Sequence, residues 1–181
     1  MFKSKEFLIN INSYIIYLLP LSLVIGPLFS DLSVIVIGII FLFISIKEKD
    51  WKYYKSPVVN IFWIWCAYLI LISLFSEKPL LSLESSLFHW RFGFFALGVW
   101  YVIDNNPNFI KIFTIFITST LFLVLFDGFF QYFTGYNLLG YSMQDLNTKH
   151  IGRISGFFGE ELILGSYLSR MMPIFLAFIS L

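Results

Sequence analysis

Arg91, Asp127, Arg153, Arg170 and the pair Glu160-Glu161 are ionisable side chains that this chain sets inside or beside long apolar runs. At the centre of a membrane-spanning helix an Arg or Asp costs roughly 2.5–3.5 kcal/mol on insertion scales, so each such group needs a partner or a purpose. The chemistry open to them is that of fixed charge: pairing across helices, or lining one polar site. Other chemistries lack their residues. There is no Gly-Lys-Ser/Thr phosphate loop, no His-Glu-x-x-His, no Cys-x-x-Cys and no nucleophile elbow. The single cysteine, Cys66, lies in an apolar run and supplies neither a disulfide nor a metal cluster. Metal and nucleotide readings have no support.

Each group also has a plainer explanation. Arg91, in His89-Trp90-Arg91, could snorkel to headgroups from a helix end. Asp127 could pair with Arg91 or Arg170. Arg170 lies deep in an apolar run, where snorkelling is harder, which favours a buried or cavity-facing position. Lys149 and His150 read as solvated loop residues. Glu160 and Glu161 could cap a following helix, whose positive dipole end favours acids.

The elements that must position these residues are membrane helices. Of 181 residues, 59% are hydrophobic and 13% charged, against about 45–50% and about 25% in soluble proteins. A soluble core of this size buries only about 70% of the unfolded surface, so the exterior would be largely Phe, Ile and Leu. Lipid suits that exterior. A net charge of +1 leaves no basic footprint for nucleic acid. A span needs about 20 apolar residues, and runs near 8–28, 31–46, 57–75, 87–103, 109–130 and 161–181 approach that length. The expected fold is all-α, a polytopic transmembrane helix bundle forming one domain over 1–181. Pro20 and Pro27 are tolerable where neighbours re-satisfy the backbone.

Lys3, Lys5, Lys47, Lys49, Lys52, Lys55 and Lys111 fall on one side if the N-terminus is cytoplasmic, as the positive-inside rule requires. Trp51, Tyr53, Tyr54, Trp90 and Trp100 then lie near span ends, where aromatic rings prefer the interface. The opposite face receives short connections at Gly26–Asp31 and Ser76–Ser86 and one long loop at about 131–160. That loop is rich in Gly, Asn, Tyr and Ser and reads as ordered. Arg91, Asp127, Arg153 and Glu160-Glu161 collect on its side.

Two adjacent segments carry a resemblance. Arg153-Ile154-Ser155-Gly156-Phe157, running through Gly165-Ser166-Tyr167-Leu168 to Pro173, resembles the motif of the O-antigen ligase and polymerase family of bacterial envelope glycosyltransferases. The Gly-x-x-Gln-x-x-x-Gly stretch from Gly128 through Gln131 to Gly135 is similar to the segment just upstream in that family. The resemblance implies an inner-membrane enzyme using an undecaprenyl-diphosphate-linked glycan at the periplasmic face, with lipid A core or another molecule as acceptor. No cofactor is implied, because the activated diphosphate supplies the driving force. Guanidinium groups bind phosphate oxygens bidentately and offset charge developing on a leaving diphosphate. Arg153 is the first candidate for that role, Arg91 the second and Arg170 the third, with Asp127 and Glu160 beside them.

Family members generally carry further spans and a second large periplasmic loop bearing another arginine and a histidine. Nothing here corresponds to that region, and the chain stops within an apolar run. The expectation is therefore an N-terminal portion of such an enzyme. A non-enzymatic membrane protein, such as a small transporter or lipid-binding subunit, is the competing class, and a decayed ligase gene product is a third.

Overall fold

Long apolar runs become long helices here, and prolines mark where several begin. The computed structural model describes residues 2–143, 152–159 and 161–180, with side chains from residue 5. Helix α1 covers Phe2–Ile25, α2 Pro27–Glu48, α3 Pro57–Leu74, α4 Pro79–Leu87, α5 Trp90–Asn105, α6 Phe109–Thr134 and α7 Leu164–Ile179. Short 3₁₀ turns form at Tyr53–Lys55 and Gly156–Phe158. Pro27, Pro57 and Pro79 each open a helix, where a missing N–H costs nothing and the fixed φ is already helical. Four helices, α1, α2, α3 and α6, are long and apolar enough to cross a membrane by length and composition. Their many exposed Leu, Ile and Phe side chains, among them Leu28, Ile64, Phe122 and Phe133, suit a lipid bilayer.

The helices differ from the expected spans in four places. Helix α2 begins at Pro27 rather than near 31, so the connection expected at Gly26–Asp31 shrinks to Gly26, because proline opens the helix instead of prolonging the turn. Helix α6 runs on to Thr134 rather than ending near 130, because Asp127 and Gln131 are buried and do not terminate it. Part of the connection expected at Ser76–Ser86 is helix α4. Its serines pair back across the corner, Ser73 Oγ to Ser86 Oγ at 3.0 Å and Ser76 Oγ to Ser82 Oγ at 2.8 Å, so polarity there marks a hairpin rather than a solvated loop. Helices α5 and α7, at 16 residues each, fall just under the roughly 17 residues of a short span.

Backbone contacts divide the chain into two compact units. Unit 1 comprises Met1–Ile16 and Asp31–Pro107, and unit 2 comprises Tyr17–Ser30 and Asn108–Leu181.

In unit 1, α2 and α5 meet at glycines. A Cβ on Gly98 would lie 2.8 Å from Ile37 Cγ2 and 3.2 Å from the Ile37 carbonyl oxygen, and one on Gly38 would lie 3.2 Å from Phe94 Cβ. Small residues let apolar helices approach closely, which matters most where lipid removes the hydrophobic drive for association. The core here gathers Ile9, Phe41, Ile44, Tyr53, Leu97 and Tyr101. Tyr53 therefore sits inside the unit rather than in an interfacial belt. Its ring is edge-on to Phe41, Trp100 and Tyr101, and its hydroxyl donates to Asp104 Oδ2 at 3.1 Å. Lys52 Nζ reaches the same oxygen at 3.1 Å. Burial first, and the Asp104 carboxylate second, hold the Tyr53 hydroxyl above its ordinary pKa, so it stays a donor.

In unit 2, Tyr17 stacks on Phe109 and Phe116, and Tyr167 of α7 donates its hydroxyl to the Pro20 carbonyl at 2.9 Å. Pro20 stays inside a continuous α1. Gly128 faces α7, since a Cβ there would be 3.2 Å from Leu164 Cδ2.

The glycine contacts make a prediction about stability. Gly98→Ala should cost about 1–3 kcal/mol by overpacking against Ile37. Gly165→Ala, with open space around it, should cost nothing measurable. Unfolding titrations of the two variants in detergent distinguish these, and equal stability would refute the packing account.

Candidate functional site

The C-terminal end of α6 carries two fully buried polar side chains one turn apart, Asp127 and Gln131, each at 0% exposure. Residues four apart share a helix face, and this face is covered by the chain that follows. Gly135 ends the helix in the left-handed conformation at φ 82°, where glycine carries no Cβ penalty. Beyond it the chain folds into a tight knot over 135–143. Asn137 Oδ1 accepts from the amides of Leu139 (3.0 Å) and Tyr141 (2.7 Å), an arrangement that short amide side chains favour in turns. The Met143 amide returns to the Gly135 carbonyl at 3.0 Å.

Gln131 then joins this knot to the segment around Arg153. Its Oε1 accepts from the amides of Ser155 (3.0 Å) and Gly156 (2.8 Å). Its Nε2 donates to Ser155 Oγ at 3.3 Å and to the Tyr141 carbonyl at 3.4 Å. Both lone pairs and both N–H groups of one amide are used, so the side chain is buried without an unmet polar group. Asn137 Nδ2 adds a 2.6 Å bond to the Gly156 carbonyl. Gly156 is at φ 58°, and a Cβ there would stand 3.3 Å from Asp127 Oδ2. Glycine is required twice over, by conformation and by space.

Asp127 Oδ1 accepts from the Leu138 amide at 2.7 Å, while Oδ2 has no hydrogen-bond partner among the described residues. The expected ion pair of Asp127 with Arg91 or Arg170 is thus replaced by a backbone amide. Arg91 instead pairs with Asp31, Nη2 lying 3.2 Å from each carboxylate oxygen. Arg91 belongs to unit 1, whereas Asp127, Arg153 and Arg170 belong to unit 2.

Arg153 is exposed, two residues before the clamped Ser155-Gly156 pair, and makes no ion pair among the described residues. Arg170 is exposed on α7 rather than buried. Glu160, Lys149 and His150 lie outside the described residues. Glu161 precedes the α7 N-cap, Ile163, and α7 has no acidic residue in its first turn and no side-chain cap, so Glu161 does not cap that helix.

The chain matches no protein-family model, no curated protein and no solved structure. What the geometry itself supplies is the meeting of the two sequence segments. The Gly128–Gly135 stretch ends α6 and supplies the Gln131 clamp, and the Arg153–Phe157 stretch is what the clamp holds. Asn137 was read in the sequence as part of the turn-rich Thr134-Gly135-Tyr136-Asn137 stretch of an ordered loop, without a bracing role of its own.

The clamp predicts a local effect. Gln131→Leu should speed hydrogen exchange at the Ser155 and Gly156 amides by at least about tenfold, the loss of roughly one net hydrogen bond. Asp127→Asn, whose Oδ1 still accepts from Leu138, should leave those two amides protected. Unchanged exchange in Gln131→Leu would mean that Gln131 does not hold the segment.

Proposed function

We propose that the chain is the N-terminal part of an O-antigen ligase-like glycosyltransferase, threaded through a bacterial inner membrane by about six spans with its N-terminus cytoplasmic. In this reading Arg153 takes the diphosphate of an undecaprenyl-diphosphate-linked glycan at the periplasmic face. The observation that carries it is the clamp of Gln131 on Ser155 and Gly156, which joins the two motif-like segments and leaves Arg153 exposed on a fixed backbone. A guanidinium so presented offers paired donors to phosphate oxygens without reorganising when charge develops on the leaving group. Asp127 supports the segment from below through Leu138. Arg91, committed to Asp31, is not part of this site. Arg170, exposed on α7, is a secondary candidate for contacting the same lipid-linked donor.

The acceptor in this reading is lipid A core or another molecule at the same face. The chemistry is transfer of the glycan from its diphosphate: the anomeric C–O bond to the diphosphate breaks as a bond to an acceptor oxygen forms. The acceptor's proton passes to a base that the described residues do not supply.

The test is complementation. The complete gene product, expressed in a ligase-deficient bacterium, should restore surface O-antigen. Arg153→Ala should then lower transfer by about a hundredfold, in the range seen for loss of one preorganised donor. Arg153→Lys should retain part of the activity, and Lys149→Ala all of it. Failure of the intact product to restore O-antigen, with normal membrane levels, would favour a non-enzymatic membrane protein. Equal losses at Arg153 and Lys149 would reduce Arg153 to general surface charge.

A further inference from the structure

Unit 1 contains a second place where polar and apolar surfaces are built together, at the corner between α4 and α5. A cavity of about 470 Å³ is lined there by Glu84, His89 and Arg91 among Leu81, Phe88 and Phe92. A narrower groove of about 170 Å³ lies along α2, walled by Val34, Ile35, Gly38, Ile39 and Leu42 with Phe94 opposite, and it exposes only apolar surface. Phe88 and Arg91 line both. The charged mouth and the largely apolar groove thus adjoin at these two side chains. Gly38 lines the groove close against Phe94, where a Cβ would lie 3.2 Å from Phe94 Cβ.

We propose that this recess is a phospholipid site, with an acyl chain in the α2 groove and a zwitterionic headgroup bearing a primary ammonium, of the phosphatidylethanolamine class, at the α4–α5 corner. The charges set the headgroup. Arg91 is already neutralised by Asp31 at 3.2 Å, and Glu84 adds a carboxylate to the same mouth. A diphosphate or another strongly anionic head would meet excess negative charge, whereas a zwitterion is matched: its phosphate to the remaining edge of the Arg91 guanidinium, its ammonium to Glu84. His89 fits the same reading. Its Nδ1 lies 2.9 Å from the Ser85 carbonyl, which can only accept, so Nδ1 donates there and Nε2, in the tautomer with one proton, is an acceptor for an ammonium N–H. The surroundings are those of a membrane interface. Leu80, Leu81 and Phe88 are exposed beside the mouth, and Trp65 and Trp90 stand at 45% and 46% exposure next to it, Trp65 edge-on to His89.

The site can be tested on the purified full chain by native mass spectrometry with phosphatidylethanolamine, phosphatidylcholine, phosphatidylglycerol and a polyprenyl diphosphate, each added separately. Phosphatidylethanolamine should bind about five- to tenfold more tightly than phosphatidylcholine, which lacks ammonium N–H donors. Glu84→Gln, at an exposed position with no hydrogen bond to lose among the described residues, should abolish that preference. Ile39→Trp, which fills the groove from an exposed position, should weaken all diacyl lipids alike. Equal binding of phosphatidylethanolamine and phosphatidylcholine would overturn the headgroup assignment. So would tighter binding of phosphatidylglycerol or the polyprenyl diphosphate. Full binding by soluble phosphoethanolamine alone, or indifference to Ile39→Trp, would overturn the acyl-chain groove.

Discussion

Unit 2 depends on one buried amide. In a chain whose helices expose hydrocarbon to lipid, a polar loop can pack against a helix end only if its backbone groups find partners there, because an unmet buried N–H or C=O costs of order 1–3 kcal/mol. Gln131 meets two loop amides, one loop hydroxyl and one loop carbonyl from a single side chain. Removing it would leave several groups unpaired at once, which is why the geometry of Gly135, Asn137, Ser155 and Gly156 follows from it. Gly135 turns the chain back, Asn137 braces the returning stretch of chain, and Gly156 passes so close to Asp127 that a Cβ would press on its carboxylate at 3.3 Å.

The same economy explains how the chain carries charge. Lys52 and Asp104 meet at 3.1 Å and Arg91 and Asp31 at 3.2 Å. These pairs are partly exposed, so each contributes little to stability. Their value lies in neutralising ionised groups near apolar spans, where a lone charge is costly. Asp127 takes a different route, through the Leu138 amide, which ties a charge-bearing group to the shape of a loop rather than to another charge. A side chain held in this way braces the 135–143 loop through Leu138.

Much of this was legible in the sequence, and the gaps have physical causes. The long spans followed from apolar length alone, and α1, α2, α3 and α6 lie where unbroken apolar runs put them. The α6 boundary was misjudged because Gln131, Tyr132 and Thr134 look like loop residues by polarity. They are helical because Gln131 spends its polarity inward. The α4 helix was hidden for the same reason, its serines being satisfied by Ser73 and Ser76. The Arg91–Asp31 pair was out of reach, since the two residues are distant in sequence and nothing in either neighbourhood points to the other. Conversely, Gly128, Gln131, Gly135 and Gly156 were singled out from a motif resemblance, and each has a local structural reason for its identity.

Those local reasons bear on how far the resemblance carries. A Gly-x-x-Gln-x-x-x-Gly stretch that only ended a helix would demand the second glycine and nothing else. Here the first glycine is fixed by Leu164 and Ile154, the glutamine by Ser155 and Gly156, and the last glycine by its positive φ. All four of these contacts fall in the second motif-like segment, so the two segments constrain one another. A loop fastened so closely at Ser155 and Gly156 holds the backbone at Arg153 while leaving its guanidinium exposed. With no ion pair among the described residues, that guanidinium adds little to the stability of the fold.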